Sequence, residues 1–268
     1  MRIVRFEDPE GGVGFGAERD GGRVEVLEGD PFRGLTPTGR TAQVGRRLAP
    51  VDPVNVFCVG LNYRAHAAEA NLPLPDEPVI FMKPTTAVVG PGEPIRIPAC
   101  CRRGPEVDYE VELAVVIGRA CRDVPEDRAL EHVLGYTVAN DVSARRWQKR
   151  NGGQWVRGKS FDTFCPLGPV LVTRDELSDA RGLGLRTVLN GRVMQQGTTD
   201  DMIFPVARLV SFLSQDTTLL PGTVILTGTP PGVGFARKPP VFLRPGDEVT
   251  VEVEGIGPLT NPVAGPRS

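Results

Sequence analysis

The chain has 268 residues, enough for one large domain with a small appendage or for two modest domains. Hydrophobic residues make up 40% and charged residues 24%, which is typical of globular proteins and excludes a disordered or membrane-embedded chain. Its 31 basic and 33 acidic residues nearly balance, so the chain as a whole has no electrostatic reason to bind nucleic acid or an anionic membrane.

Short β-like runs alternate with turns over the first fifty residues, which predicts a small N-terminal β domain over residues 1–53 and a main domain over residues 54–268. Apolar, β-branched runs in the main domain predict strands at residues 56–59, 79–82, 113–117, 136–139, 169–172, 185–189, 224–226 and 249–253. Helical spacing of apolar residues predicts helices at residues 63–70, 126–134 and 206–213. The fold class is therefore mainly β with a few short helices (α+β), with a frayed tail after Val263.

The N-terminus lacks the apolar core of a signal peptide, and no apolar run approaches the ~20 residues of a membrane span. The five cysteines contain no Cys-x-x-Cys pair, which argues against a zinc site and a disulfide framework. We therefore expect a cytoplasmic protein with reduced, mostly buried thiols.

Three acids stand at the ends of apolar runs. Glu110 and Glu112 lie two residues apart, so on a strand they share one face, and Asp141 ends a second apolar run. Neighbouring carboxylates at the mouth of a buried strand must be protonated, remain hydrated or share a cation. Oxygen ligands without His or Cys suit Mg²⁺ or Mn²⁺, with Ca²⁺ as a further candidate. The alternative is an exposed strand end with solvated acids.

A second group of residues could supply acid–base chemistry. His66 and Glu69 lie three residues apart on one face of a predicted helix, and a carboxylate beside an imidazole raises its basicity. Lys83 and Lys159 lie close to apolar strands and acids, where a cation can neutralise an oxyanion. A proline-rich loop follows residues 224–226 and is expected to present Thr229 to a site. Each pattern alone is also typical of an ordinary surface group.

From about residue 54 to residue 263 the chain resembles the fumarylacetoacetate hydrolase family, and most closely its short domain-containing members of the second type. The resemblance rests on Gly60-Leu61-Asn62-Tyr63 with His66 and Glu69, Phe81-Met82-Lys83-Pro84, Asp108-Tyr109-Glu110-Val111-Glu112-Leu113, Asn140-Asp141-Val142-Ser143-Ala144-Arg145, Gly158-Lys159-Ser160-Phe161-Asp162 and Leu226-Thr227-Gly228-Thr229-Pro230.

This resemblance implies a mixed β-sandwich roll that forms a homodimer and acts on a small 2-oxo acid. It implies Mg²⁺ or Mn²⁺ on Glu110, Glu112 and Asp141, and a base dyad of His66 and Glu69 on a lid. The substrate would be contacted by a further set of side chains, namely Lys83, Arg145, Gln148, Lys159 and Thr229.

The resulting hypothesis is hydrolysis of a carbon–carbon bond in an acylpyruvate such as fumarylpyruvate. The metal would act as a Lewis acid, His66 would activate water, and Lys159 would stabilise the enolate that leaves. Oxaloacetate decarboxylation, oxaloacetate keto–enol tautomerisation and 2-hydroxyhepta-2,4-diene-1,7-dioate isomerisation pass through a similar enolate and stay open. A non-catalytic, ligand-binding member of the fold is the alternative from another class.

Overall fold

The computed structural model describes residues 1–150 and 152–266. The strands are β1 (Arg2–Glu7), β2 (Val13–Glu18), β3 (Val24–Asp30), β4 (Gly34–Thr41), β5 (Arg46–Arg47), β6 (Asn55–Gly60), β7 (Val79–Lys83), β8 (Val88–Val89), β9 (Ile95–Arg96), β10 (Val107–Asp108), β11 (Val111–Ile117), β12 (Val133–Asn140), β13 (Ser143–Ala144), β14 (Cys165–Thr173), β15 (Gly184–Leu189), β16 (Arg192–Thr198), β17 (Thr223–Leu226), β18 (Glu248–Val253) and β19 (Gly257–Ala264). The α-helices are α1 (Arg64–Glu69), α2 (Arg145–Arg150), α3 (Val156–Lys159) and α4 (Val206–Ser214).

Most strands join one large sheet with the order β4-β3-β2-β1-β14-β12-β11-β17-β6-β7, in which β5 also pairs with β1 and β8 with β14. A second sheet has the order β16-β15-β18-β19-β9, and β10 pairs with β13. The second sheet packs on the first through contacts of β15 and β18 with β11, and of β19 with β14. The N-terminal strands extend the large sheet through the β1–β14 pair, while the domain boundary at residue 53 stays a prediction.

Strand β11 lies at the centre of this arrangement and is buried along its whole length. Leu113, Val115 and Ile117 belong to one hydrophobic cluster, whereas Ala114 and Val116 belong to another. Alternate side chains of a strand point to opposite faces of the sheet, so both faces of β11 are covered. This burial on both faces explains why the strand is almost uniformly apolar in sequence.

The structure confirms a mainly β fold with few helices, and each predicted strand appears with slightly wider bounds. The helix predicted at 126–134 is wrong in type and length: residues Glu126–His132 form a 3₁₀ helix, and the next two residues already pair in β12. Helices α2 and α3 were not predicted, because their charged residues show no apolar periodicity. The tail continues β19 to Ala264, and residues 267–268 lie outside the described residues.

All five cysteines are free thiols, as expected; three are buried and Cys100 is exposed. Among the described residues, no helix combines the length and the apolar character needed to cross a membrane.

Candidate active site

The three acids of the proposed metal site meet where β11 begins and β12 ends. The two strands are antiparallel, with Glu112 opposite Ala139, so Glu110 at the entry to β11 lies beside Asp141 at the exit of β12. The backbone N–H of Asp141 donates to the carbonyl oxygen of Glu110 at 2.9 Å. One oxygen from each of Glu110, Glu112 and Asp141 lies within 4.8 Å of the others, and all three residues are buried. Strand pairing therefore brings together acids that lie thirty residues apart in sequence.

Lys159 supplies positive charge to this group. Its Nζ donates to Oε2 of Glu110 at 2.8 Å and to Oδ2 of Asp141 at 2.6 Å. Burial alone would lower the pKa of Lys159, but the carboxylates of Asp141 and Glu110 together outweigh it and raise that pKa. Burial raises the pKa of Glu110, yet Lys159 and Arg145 together lower it to about 2.

Glu112 behaves differently because it has no cation of its own. Burial, followed by the charges of Asp141 and Glu110, raises its pKa well above the ordinary value. One of its oxygens accepts the backbone N–H of Gly228 at 2.6 Å. A buried carboxylate beside two others is stabilised by a cation that all three share. The donor set is oxygen only, which is what Mg²⁺, Mn²⁺ and Ca²⁺ prefer, so the residues fit the metal expected from the sequence.

Lys83 lies on the far side of Asp141 and is fully buried. Its Nζ contacts Oδ1 of Asp141 at 2.5 Å and donates to the carbonyl oxygens of Lys159 at 2.7 Å and Val142 at 3.1 Å. An ammonium has three donors, and protein groups use all three. The geometry therefore favours a role for Lys83 in holding Asp141 and Lys159 in place over direct substrate contact.

Arg145 and Gln148 enter the site from α2. The Nε of Arg145 donates to Asp108 at 2.8 Å, Nη1 donates to Oε1 of Gln148 at 3.0 Å, and Nη2 lies 2.6 Å from Oε1 of Glu110. A guanidinium has five N–H donors, so two remain for a ligand. In the described residues the amide nitrogen of Gln148 makes no hydrogen bond.

The loop after β17 is tied to the site at several points. Besides the Gly228 contact, the Thr229 hydroxyl donates to the carbonyl of Val111 at 2.9 Å and accepts from Nε2 of Gln195 at 2.9 Å. Thr229 is thus adjacent to the acids, although its hydrogen already bonds to the backbone. The N–H of Gly232 reaches further, donating to Oε1 of Glu69 at 2.9 Å.

That contact helps to fix the His66–Glu69 dyad on α1. Nδ1 of His66 lies 3.1 Å from Oε2 of Glu69, and both side chains are mostly buried. Burial would raise the pKa of Glu69, but the hydrogen bonds from His66 and Gly232 outweigh it and lower the pKa. An ionised Glu69 can only accept, so Nδ1 of His66 carries the hydrogen and Nε2 is left as the basic atom. The loop that bonds Glu112 through the N–H of Gly228 also bonds Glu69 through the N–H of Gly232, so the dyad and the acids are attached to the same short loop.

Two residues that support the site were missed in the sequence. Gln195 is buried, and its Oε1 accepts the N–H of Val111 at 3.0 Å, between the two glutamates. The residues around Gln195 in the sequence form no pattern that indicates a functional site. Asp108 accepts hydrogen bonds from Arg145 and from the backbone at 109, 234 and 235. Its two-residue spacing from Glu110 was a signal, because alternate residues share a face.

Comparison with known proteins identifies the family. Residues 55–264 match the family described as "Fumarylacetoacetate (FAA) hydrolase C-terminal". The chain belongs to this family. Residues 1–50 match a second description, "Rv2993c-like, N-terminal".

Similar proteins carry tautomerase and isomerase names. The human "Oxaloacetate tautomerase FAHD2A, mitochondrial" is 45% identical over 98% of this chain and 91% of that protein. A Xenopus laevis "Oxaloacetate tautomerase fahd2, mitochondrial" is 52% identical over 81% of this chain and 67% of its own length. A solved 5-carboxymethyl-2-hydroxymuconate delta-isomerase from Mycobacterium smegmatis is 46% identical, with a TM-score of 0.86 over 99% of this chain and all of the other. The family and these relatives support an enzyme.

Proposed function

We propose that the chain is a divalent-metal-dependent enzyme that interconverts the keto and enol forms of a small 2-oxo acid, with oxaloacetate as the first candidate. The observation that carries the proposal is the cluster of the buried acids Glu110, Glu112 and Asp141 with Lys159, joined to the His66–Glu69 dyad by the loop of residues 228–232. Mg²⁺ or Mn²⁺ held on the acids, or Ca²⁺ in their place, would polarise the 2-oxo group and acidify the neighbouring C–H.

The chain's own residues would then move the proton. Nε2 of His66, whose ring is oriented by Glu69, accepts a proton from C3 while the C2–C3 double bond forms and the electron pair moves to the 2-oxo oxygen. The ammonium of Lys159 neutralises charge developing on that oxygen. The oxygen then takes a proton from water, His66 returns its own proton to water, and the enol is complete; the reverse sequence regenerates the keto acid. The two remaining N–H donors of Arg145, with Gln148, would orient the substrate carboxylate.

Hydrolysis of an acylpyruvate was the first expectation from the sequence and becomes the second candidate. The same dyad could activate water, but the names of the relatives favour proton transfer: two are oxaloacetate tautomerases and one is a muconate isomerase. Isomerisation of 2-hydroxyhepta-2,4-diene-1,7-dioate is supported by a Mycobacterium marinum structure with that activity in its name, which is 44% identical.

The deciding experiment follows enol oxaloacetate, fumarylpyruvate and the heptadienedioate in parallel by ultraviolet absorbance, with Mg²⁺, Mn²⁺, Ca²⁺ or EDTA. We expect the fastest metal-dependent turnover with oxaloacetate, and pyruvate assays separate decarboxylation from tautomerisation. His66→Ala should lower kcat by roughly 10²–10⁴-fold and leave metal binding unchanged, with Glu77→Gln as an exposed control. Turnover of fumarylpyruvate alone would favour the hydrolase, and no turnover of any compound would favour the binding protein.

The homodimer and the cytoplasmic location remain proposals. Light scattering of the purified protein tests the first, and fractionation of the source cells tests the second.

A further inference from the structure

A cavity of about 660 Å³ opens at the end of the large sheet that lies away from the acids. Its position follows from the topology, because β12 lies between β11 and β14 and is antiparallel to both. Arg119 follows the end of β11 and Arg174 follows the end of β14, so both flank the start of β12. The eight residues of β12 separate this end from Asp141 by roughly 25 Å at 3.3 Å per residue. The cavity is therefore distinct from the proposed active site.

Backbone hydrogen bonds fix the two arginines on either side of the same segment. The N–H of Arg119 donates to the carbonyl of His132 at 3.3 Å, and the N–H of Arg174 donates to the carbonyl of Leu134 at 3.1 Å. A third arginine, Arg33, reaches the cavity from the turn between β3 and β4. Three segments distant in sequence thus each place an arginine at one concave surface.

The cavity has more positive charge than its acids neutralise. In the part of the chain that the structure describes, Arg33, Arg119 and Arg174 form no ion pair or side-chain hydrogen bond. The two acids of the lining also have partners elsewhere: Glu131 pairs with Arg128 at 3.1 Å, although it attracts Arg174 as well, and Asp175 lies 3.6 Å from the N-terminal ammonium. The three arginines are exposed residues, so water weakens their mutual repulsion and leaves them free to turn toward an anion, in a chain of net charge −2.

His132 can add a hydrogen bond to a ligand in the cavity, which the residue lines. Its Nδ1 is buried, so a ligand in the cavity does not reach that atom. Its Nε2 makes no hydrogen bond among the described residues and is not buried, so it is the ring nitrogen that is open to a ligand. Protonated or neutral, an imidazole nitrogen that carries hydrogen can donate to an anion.

We propose that this cavity binds a small polyanion, a phosphate compound or a polycarboxylate, between Arg33, Arg119, Arg174 and His132. Its volume lies within the usual range for small-molecule sites. Guanidinium groups bind both chemistries through paired N–H donors, so the arginines define the charge of the ligand and not its source. Phe32, Val133 and Leu134 line the same cavity and would pack against an apolar part of the ligand.

The test is calorimetric titration of the full-length, Mg²⁺-loaded protein with inorganic pyrophosphate, tricarballylate and, as a monoanion control, acetate. We expect one of the two polyanions to bind and acetate not to bind. Arg119→Gln and Arg174→Gln should each weaken affinity by about tenfold or more, since each removes charge-assisted hydrogen bonds. Arg192→Gln, at an exposed arginine on β16, should leave affinity unchanged.

Glu112→Gln separates this cavity from the metal site. Binding that survives in the arginine variants but disappears in Glu112→Gln would assign the polyanion to the metal and overturn the proposal. Absence of binding by both polyanions would overturn it as well. If either arginine variant shows an altered circular dichroism spectrum, Arg119→Lys and Arg174→Lys are used, and we expect these to weaken affinity less than glutamine does, because charge is kept and the paired donors are lost. The outcome does not depend on which reaction the enzyme catalyses.

Discussion

Nζ of Lys83 lies 2.5 Å from Oδ1 of Asp141, and neither side chain is exposed to solvent. The pair joins the end of β7 to the end of β12, and the same ammonium holds the backbone of Lys159 at the end of α3. Three elements that are separate in sequence are thus fixed around one charge. The side chain of Asp141 and the backbone of Lys159 both depend on this ammonium for their positions.

Replacing Lys83 by methionine should destabilise the protein strongly. The change keeps the length of the side chain but leaves the carboxylate of Asp141 without its partner on that side, and removal of one member of a buried ion pair typically costs about 3–5 kcal/mol. Urea unfolding measures the loss. Lys238→Met, at an exposed lysine, is the control and should change stability little. A small loss at Lys83 would mean that the pair contributes nothing to the fold.

Glu112→Gln should separate metal binding from stability. In EDTA the variant should be at least as stable as the wild type, because a neutral amide avoids the burial of charge, and then the repulsion by Asp141 and Glu110, that raise the pKa of Glu112, and it still offers an oxygen to the Gly228 N–H. With Mn²⁺ the wild type should gain about 2.7 kcal/mol at a concentration of 100 times Kd, whereas the variant should gain much less. Thermal melts with and without Mn²⁺ measure both effects, with Glu248→Gln as the exposed control. Equal stabilisation of both proteins by Mn²⁺ would remove Glu112 from the metal site.

The strands could be predicted because a buried strand consists mainly of apolar residues, and such runs are visible in the sequence. Strand β11 is apolar throughout since both of its faces are covered. Helix α2 could not be predicted in the same way. Its buried residues Arg145 and Gln148 are polar and point to the site, so the helix has no apolar stripe in sequence. The residues 126–134 were misread as an α-helix, since Val133 and Leu134 continue the apolar spacing but pair in β12.

The acids of the site were visible in the sequence, but their supports were only partly so. Glu110 and Glu112 are adjacent on one strand, so the spacing of two residues revealed them. Gln195 lies 84 residues from the Val111 N–H that it accepts, and only tertiary pairing reveals such a contact. The positioning role of Lys83 follows only from the structure, in which protein groups use all three N–H donors of its ammonium. No sequence pattern indicates these contacts.

Stability should depend on pH through Glu18, which joins the N-terminal strands. Its carboxylate accepts from Arg47 at 2.6 Å and from Arg2 at 3.0 Å. Burial alone would raise the pKa of Glu18, but the two arginines outweigh it and lower the pKa below the ordinary 4.5. A lowered pKa in the folded state adds stability above pH 4.5 and loses it as the pH falls through the folded value.

Glu18→Gln should therefore reduce the free energy of unfolding at pH 7, and the difference from the wild type should shrink as the pH falls below 4.5. Urea unfolding across this range measures it. Glu10→Gln is the control, since Glu10 forms no ion pair in the described part of the chain. A difference that stays constant with pH would show that the charge of Glu18 is not the cause.

Asp108→Asn should loosen the loop that connects the acids with the His66–Glu69 dyad. Oδ1 of Asp108 accepts the N–H groups of residues 109 and 234, and Oδ2 accepts residue 235 and Nε of Arg145. An asparagine must turn its NH₂ toward one of these pairs, so at least two buried donors lose their acceptor, at about 1–3 kcal/mol each. Asp8→Asn is a matched control, because Oδ1 of Asp8 alone accepts both of its backbone bonds and an amide oxygen can replace it. Hydrogen exchange should therefore accelerate at the amides of residues 234 and 235 in Asp108→Asn and stay unchanged in Asp8→Asn, whereas equal protection in both variants would mean that the loop is held by its contacts with Glu112 and Gln195.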